Sequence, residues 1–329
     1  MKKLLSIILL VGSVGVLVGL SQMSAGAAAT SNTSGSGYRV SPVRSDLTIA
    51  PGTSQTVTVY VQNVASVPEN VQVIINDFQA AQDESGRPEL LLNGQNTASH
   101  GLKQYISLPI SIFSLQPNEQ RAVAVKVTIP LNTAGGGYFG AVRFAPASLT
   151  SGENVNLAPS VASLILVTVP GKIQERLSIA SFDVRNGDHP QKFLLSGKNL
   201  QAVARFQNSG NLQEEPFGKV LLKRGNTVLG SYEINNSDPR GNVLPNSIRR
   251  FSVALPTLHT FGKYTVEGNF GYGSTGQLLS ASTTFYLIPL LDIILVLVVI
   301  LVLLFAIFGL PRLLRAYNQR IIQRANRRQ

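Results

Sequence analysis

Apolar and polar residues alternate with a period of two through most of residues 38–285, and this pattern limits the fold more than any other feature. It is clear in Val57–Val61, in Val71–Ile75 and in Val123–Ile129. Side chains on a strand point alternately to opposite faces of a sheet, so each stretch predicts a strand with one face in a core. Val161–Val169 is apolar on both faces and predicts an interior strand.

Turn signals divide residues 38–285 into two units. Proline and glycine, as in Pro51-Gly52, separate the strands at about the spacing of an all-β sandwich. The stretch 30–37, TSNTSGSG, is typical of a flexible linker. Because Pro170-Gly171 ends the first set of strands, we predict one β-sandwich domain at 38–171 and a second at 172–285.

The two predicted domains share short sequence features. A strand ends in Gln62-Asn63 in the first domain and in Gln207-Asn208 in the second. A proline turn, Pro117-Asn118 or Pro245-Asn246, precedes an alternating strand in each. Two sandwiches of related plan would show this echo, and turn chemistry that arose independently would show it too.

The N-terminus has the three parts of a secretory signal. Lys2-Lys3 precedes an uncharged apolar stretch, Leu4–Leu20, and the small residues Ala25–Ala29 offer cleavage sites. We therefore predict a cleavable signal peptide over residues 1–29. The alternative, an uncleaved anchor helix, would need a longer apolar core and no cleavage site.

A second apolar segment, Leu287–Leu310, is long enough to cross the ~30 Å hydrocarbon core of a bilayer as a helix. Its single charge, Asp292, lies near the outer end, where it is either an interfacial residue or a functional group inside the membrane. Arginines just beyond a membrane helix stay in the cytoplasm. We therefore predict a single-pass protein with extracellular N-terminal domains and a cytoplasmic tail, 311–329, whose arginines contact the inner leaflet of the lipid bilayer: Arg312, Arg315, Arg320, Arg324, Arg327 and Arg328.

The formal net charge of +11 is unevenly distributed. Residues 38–171 have 7 basic and 8 acidic side chains, a net of −1, and residues 172–285 have 13 basic and 8 acidic, a net of +5. The high isoelectric point comes largely from the tail, so it is no argument for nucleic acid as a partner. The basic second domain would suit an anionic polymer or lipid headgroups, and scattered solvated lysines explain it as well.

The residue inventory argues against catalysis and metal binding. There is no cysteine, which excludes disulfides and thiolate chemistry and is commoner in exported proteins of bacteria than in animal ectodomains. His100, His189 and His259 have no ligand-like spacing. The carboxylate pairs Asp83-Glu84 and Glu214-Glu215 are adjacent in polar loops, whereas paired acid and base groups must face each other across a cleft. We predict a protein that is not an enzyme and holds no metal or cofactor.

The most distinctive segment is Gly135–Phe144, GGGYFGAVRF. Its glycines, Gly135, Gly136, Gly137 and Gly140, predict a turn that feeds a strand. On that strand Tyr138 would share one face with Val142 and Phe144, and Phe139 and Arg143 would lie on the other.

Two interpretations of this segment remain open. In one it is only a glycine-rich turn and a strand. In the other it is a ligand-binding surface, in which the aromatic rings of Tyr138 and Phe139 stack on a sugar or peptide and Arg143 binds a carboxylate.

From Tyr38 to the tail, the order of parts resembles the WxL-interacting proteins of Gram-positive cell surfaces. The local matches are Pro51-Gly52 before Val57–Asn63, the segment Gly136–Val142, and Leu244-Pro245-Asn246 followed by Phe261–Tyr264. The resemblance implies that the first domain contacts peptidoglycan and that the second binds a protein.

We therefore predict an all-β protein with two tandem immunoglobulin-like β-sandwich domains and one C-terminal transmembrane helix. Its predicted function is that of a cell-surface binding or scaffold protein, with a cell-wall polymer and a surface protein as partners. The alternative is a membrane-tethered assembly factor or chaperone that binds client subunits by strand addition to an exposed sheet edge. A third class is an enzyme of unfamiliar type.

Overall fold

A computed structural model describes residues 37–92, 99–147, 160–315 and 318. The predicted signal peptide, residues 30–36 of the predicted linker, and four of the tail arginines (Arg320, Arg324, Arg327 and Arg328) lie outside the described residues.

Ten strands between Tyr38 and Val169 form two facing sheets, which we call the first sandwich. One sheet has the order β1-β3-β8-β6 and the other β2-β10-β9-β4-β5, with β7 paired to the start of β4. The strands are β1 (Tyr38–Ser41), β2 (Arg44–Thr48), β3 (Ser54–Asn63), β4 (Glu69–Ala80), β5 (Pro88–Leu90), β6 (Ile106–Ser107), β7 (Ile112–Leu115), β8 (Gln120–Thr128), β9 (Gly136–Pro146) and β10 (Val161–Val169).

Eight further strands form the second sandwich. One sheet has the order β11-β13-β16 and the other β12-β18-β17-β14-β15. The strands are β11 (Leu177–Asn186), β12 (Phe193–Leu194), β13 (Leu200–Asn208), β14 (Phe217–Arg224), β15 (Thr227–Ile234), β16 (Ser247–Ala254), β17 (Gly262–Tyr272) and β18 (Gln277–Leu287).

The period of two accounts for the cores. On β3, Val59 and Val61 are fully buried, whereas the alternate residues Thr58 and Tyr60 are exposed. Each sandwich buries one apolar cluster between its sheets, and Val161–Val169 forms β10, an interior strand between β2 and β9. Strands with one buried face are what alternation predicts.

Both sandwiches have the strand plan of an immunoglobulin domain. In each sandwich the last two strands form a long hairpin, β9-β10 in the first and β17-β18 in the second. The first strand of each hairpin also pairs with an earlier strand, β9 with β4 and β17 with β14. In each, a short strand runs parallel to the last strand, β2 along β10 and β12 along β18. The predicted fold class is confirmed, and independent folding of 38–171 and 172–285 stays a prediction.

One apolar helix follows the second sandwich. It runs from Leu290 to Arg315 with a mean hydropathy of 3.6 in its most apolar window, and it is a candidate membrane span by length and composition. It begins after the predicted start at Leu287, because that residue still pairs with Gly262 in the sheet. It continues past Pro311 through a π turn at Phe305–Gly309, where the helix widens just before a proline that cannot donate to the carbonyl four residues back.

Candidate functional site

The predicted ligand-binding segment is β9, and both of its faces are covered. Val142 and Phe144 point into the core of the first sandwich, as predicted. On the opposite face Phe139 is only 3% exposed, and it packs with Phe78 and with Leu244 of the second sandwich. The expectation that Phe139 is an exposed contact residue is therefore wrong, because the second sandwich covers the face from which it projects.

The other two candidate residues do not share one surface with Phe139. Tyr138 is half-buried on the core side, its hydroxyl donates to the carbonyl of Ala134 at 2.9 Å, and burial raises its pKa. Arg143 is half-buried on the other face, and its Nε donates to Oδ1 of Asn76 at 3.2 Å. Ligand binding by these side chains stays a prediction.

The glycines of this segment allow the two sandwiches to approach each other. Gly136 has φ of +147°, and a Cβ atom there would lie 2.8 Å from the carbonyl oxygen of Asn211. A Cβ atom at Gly137 would lie 2.5 Å from Oε1 of Gln213. Gly135 is equally close to Gly171 at the start of the connection, whereas Gly140 lies inside the first sandwich.

Asn211 is the centre of this contact. The Gly137 N–H donates to its carbonyl oxygen at 2.7 Å, and its side-chain Nδ2 donates to the carbonyls of Gly135 and Lys172 at 2.9 and 3.0 Å. Its Oδ1 accepts from the Gln174 N–H at 2.7 Å. One loop residue of the second sandwich thus binds both β9 and the connection between the sandwiches.

Glu84 makes a second contact between the sandwiches. It lies in the β4–β5 loop with φ of 59°, a strained value for a residue with a side chain. Its carboxylate accepts from both Nε and Nη2 of Arg205, the first at 2.6 Å, and its carbonyl accepts from the Arg250 N–H at 2.8 Å. The hydrogen bonds from Arg205 hold the pKa of Glu84 below its usual range.

A cleft of about 700 Å³ lies between the two sandwiches. Arg44 of β2 crosses it and donates to Asp46 and, at 2.7 Å, to Glu215. Deeper in the cleft, Glu214 is 2% exposed, and its Oε1 has no hydrogen-bond partner among the described residues. Burial, and then the nearby charge of Glu175, raises the pKa of Glu214 to about 7.

The second sandwich also has a strand edge with little cover. β18 pairs with β17 along its whole length, but on its other side it pairs with β12 only at Tyr286 and Leu287. Among the described residues, no strand is hydrogen-bonded to the stretch Gln277–Phe285 on that side, although β11 of the facing sheet comes close to β18. Leu278, at its start, is 81% exposed.

Two of the six tail arginines are described. Arg312 Nη1 donates to the carbonyl of Phe308 at 2.7 Å, one turn back along the helix. Arg315 is exposed at the end of the helix. Their predicted contact with the inner leaflet stays a prediction.

Sequence reasoning missed the residues that join the sandwiches. In the sequence, Glu84 and Glu214 stood out only as members of adjacent carboxylate pairs, and Asn211 was not singled out. Their partners, such as Arg205, are distant in sequence, so no spacing rule connects them. The one available signal was the cluster of three glycines at Gly135–Gly137, since glycine often marks a close approach of two backbones.

No protein-family model and no curated protein matches the sequence. Among solved structures, the class 5 fimbriae chaperone CfaA is similar at 13% identity, with a TM-score of 0.35, over 77% of this chain and 100% of that chain. The E. coli chaperone DraB is similar at 15% identity, with a TM-score of 0.33, over 76% of this chain and 96% of that chain. A Porphyromonas gingivalis protein of unknown function is similar at 12% identity, with a TM-score of 0.28, over 76% of this chain and 99% of that chain. Structural similarity at this level gives no information about what the chain binds. The resemblance to WxL-interacting proteins stays a prediction.

Proposed function

We propose that this chain is a membrane-anchored, non-enzymatic protein-binding factor that holds an extended segment of a client protein by strand addition along β18. The observation that carries the proposal is the edge of β18 from Gln277 to Phe285, whose backbone has no paired strand among the described residues. An open edge offers a row of backbone donors and acceptors to an added strand.

The first sandwich shows what such an edge accommodates. There β2 runs parallel to β10 over five residue pairs, from Leu164 to Thr168. In the second sandwich β11 stays paired with β13, so β11 approaches β18 without pairing with it, and only the two residues of β12 form a ladder with β18. The position that β2 occupies in one repeat is therefore open along β18 in the other, and a client strand in that position would complete the sheet.

The composition of β18 favours strand addition. Gln277–Leu287, QLLSASTTFYL, contains no charged residue, proline or glycine. Proteins usually protect long strand edges with such residues or with bulges. The other edge strands of the second sandwich carry Asp183 on β11, Glu233 on β15 and Arg249 on β16. β18 is thus the edge of this sandwich that lacks charge protection.

The side chains beside the edge suit a polypeptide. Ser280, Ser282 and Thr284 form a small, exposed polar row on the outer face, which lets another backbone come close. Leu279, on the inner face, is half-buried against the core. The inner and outer faces of an added strand would therefore lie beside different surfaces, the first next to the core and the second next to the polar row.

The anchor would hold this edge close to the bilayer. Only Ile288 and Pro289 separate β18 from the helix. Beside that junction the rings of Phe193 and Tyr286 stack with centroids 5.4 Å apart, and they are 65% and 40% exposed. Exposed aromatic rings at the end of a membrane helix are typical of the headgroup region. In the proposed orientation the sandwiches lie outside the cell and the arginines inside.

Site-specific crosslinking tests the binding edge. The chain has no cysteine, so Ser282→Cys places a single benzophenone label beside the free edge. Ser231→Cys is the matched control, because Ser231 is exposed on β15, the other edge strand of the same sheet. Illumination of native membranes should give protein adducts from position 282 in excess over position 231, and adding Ser280→Lys with Thr284→Lys should remove them. Equal adducts from both positions would sink the proposal.

Orientation is tested with the same variants. In intact cells a membrane-impermeant maleimide should label Ser231→Cys, and it should label Gln329→Cys only after permeabilisation. Labelling of the C-terminal position in intact cells would reverse the orientation.

A further inference from the structure

The cleft between the sandwiches is acidic, although the second sandwich as a whole is basic. Five carboxylates and two guanidinium groups line it, which gives a net charge of −3 when all are ionised. The carboxylates come from both sandwiches and from the connection between them: Asp46, Glu175, Glu214, Glu215 and Asp238.

The two basic groups are already engaged. Arg44 donates to Asp46 and Glu215, and its Nη1 donates to the carbonyl of Arg240 at 2.9 Å. The guanidinium of Arg240 lies over the ring of Phe217, 4.2 Å from its centroid, in a cation–π contact. The positive charge in the cleft is therefore held by the chain's own groups.

Glu214 is held so that its carboxyl group lines the cleft. Its backbone exchanges two hydrogen bonds with Val243, at 3.0 and 2.7 Å, which hold its backbone in place at the wall of the cleft. The residue is 2% exposed, and its Oε1 has no partner among the described residues. Buried carboxyl oxygens are nearly always hydrogen-bonded, because leaving one unpaired is costly. The arrangement indicates a donor supplied by a ligand.

We propose that this cleft binds a primary ammonium group, presented by a lysine side chain of a protein partner, with Glu214 as its central contact. An ammonium is a compact charge with three donors, so one of them can reach a single carboxyl oxygen while the others reach neighbouring acceptors. A guanidinium prefers both oxygens of a carboxylate, and the Gly273 N–H already faces the Glu214 carboxyl group.

Other ligand classes fit the cleft less well. The net negative charge disfavours an anion. Among the described residues there is no group of three or more His, Cys, Asp or Glu side chains placed to hold a metal ion. Glu175 is tied to Ser274, whose N–H donates to its two oxygens at 2.9 and 3.0 Å, which fixes the neighbouring negative charge without removing it. This proposal does not rest on strand addition, since no residue of β18 lines the cleft.

Calorimetry on the full chain in detergent micelles tests the site. The probe is N-acetyl-lysine methylamide, which carries a lysine ammonium without backbone charges, and its side-chain-acetylated form is the neutral control. At pH 8 the ammonium probe should bind and the acetylated probe should not. Glu214→Gln should weaken binding by more than about tenfold, as expected when one partner of a buried charge pair is neutralised. Glu89→Gln, an exposed acid on β5, should leave affinity unchanged.

Protons should compete with the probe. Glu214 has its pKa near 7, so affinity should fall between pH 8 and pH 6 in the wild type and stay flat in Glu214→Gln. Should Glu214→Gln fail to fold, Asp238→Asn, at an exposed position on the rim, provides the second variant and should weaken binding severalfold. n-Butylamine distinguishes a polypeptide lysine from a free amine. Equal binding by Glu214→Gln, binding of the acetylated probe, or binding of n-butylamine alone would overturn the proposal.

Discussion

The buried side chains of Asn63 and Asn208 make the same three hydrogen bonds, one set in each sandwich. Asn63 Nδ2 donates to the carbonyls of Val67 and Leu115, and its Oδ1 accepts from the Ala65 N–H. Asn208 repeats the pattern with Leu212, Val243 and Gly210 as partners; the two local partners lie at the same spacings of four and two residues, and only the distant carbonyl is differently spaced. One asparagine thus closes the same corner in both halves of the chain.

A second pair of asparagines completes this corner. The N–H groups of Asn118 and Asn246 donate to the carbonyls of Asn63 and Asn208, at 2.9 and 3.0 Å. Both have positive φ, 63° and 57°. Asparagine tolerates this left-handed conformation better than most residues. The short sequence echo of Gln-Asn and Pro-Asn therefore reflects one structural unit used twice.

Replacing either buried asparagine should cost similar stability. Asn63→Ala or Asn208→Ala removes three hydrogen bonds and leaves buried backbone groups unpaired, so each should lower the free energy of unfolding by about 2 to 4 kcal/mol. Denaturant unfolding of the full chain in detergent micelles measures this. Asn236→Ala, at an exposed position, is the control and should change stability by less than about 0.5 kcal/mol. A small effect at only one of the two sites would mean that the corners differ.

The pair Glu84–Arg205 should stabilise the joint between the sandwiches. Both side chains are about a quarter exposed, so solvent screening keeps the interaction modest. A double-mutant cycle with Glu84→Gln and Arg205→Gln should give a coupling free energy of roughly 1 kcal/mol. Because Arg205 lowers the pKa of Glu84, this stability should be present above pH 4.5, the ordinary pKa of the group, and lost as pH falls further. Additive single variants would show that the contact contributes nothing.

Alanine substitutions at Gly136 and Gly276 should distinguish the cost of a steric clash from the cost of an unfavourable φ. Both have positive φ, 147° and 68°, but only Gly136 has another residue, Asn211, where a Cβ atom would lie. Gly136→Ala should therefore lower the free energy of unfolding by about 1 to 2 kcal/mol more than Gly276→Ala. Equal losses in thermal or denaturant unfolding would assign the requirement at Gly136 to its φ alone.

Glu214→Gln should stabilise the chain in a pH-dependent way. The folded-state pKa, about 7, lies above the ordinary value of 4.5, so the wild type has its full contribution from this group below pH 4.5 and loses it as pH rises through 7. Glutamine does not titrate. The variant should therefore gain about 1 to 3 kcal/mol relative to wild type between pH 5 and pH 8. A stability difference that is the same at both pH values would place the Glu214 pKa within its usual range.

The sequence predicts the strands well because their pattern is local. Val59 and Val61 show on their own which face of β3 is buried, since alternation needs only neighbouring residues. The same rule correctly puts Phe139 and Phe144 on opposite faces of β9. Alternation does not show whether the outer face of β9 is exposed to water or covered by a second sandwich. Phe139 is in fact covered, because it packs in one cluster with Leu244 of the second sandwich.

The candidate sites were harder to predict because they depend on contacts between distant segments. Glu84 meets Arg205 across 121 positions of sequence. Glu214 is buried because residues of both sandwiches surround it, and nothing in its own loop sequence indicates that. The free edge of β18 exists because β11 stays in the other sheet, a choice that strand composition alone does not reveal.

The short passage from β18 into the helix gives the molecule a mechanical property. A pull on the helix acts along β18, which is held to β17 by eleven residue pairs. A force parallel to a strand loads all of its ladder hydrogen bonds together, whereas a force across the strand would open them one after another. If the helix is the membrane anchor proposed here, the second sandwich is attached to it through a strand that is loaded in shear along its whole length.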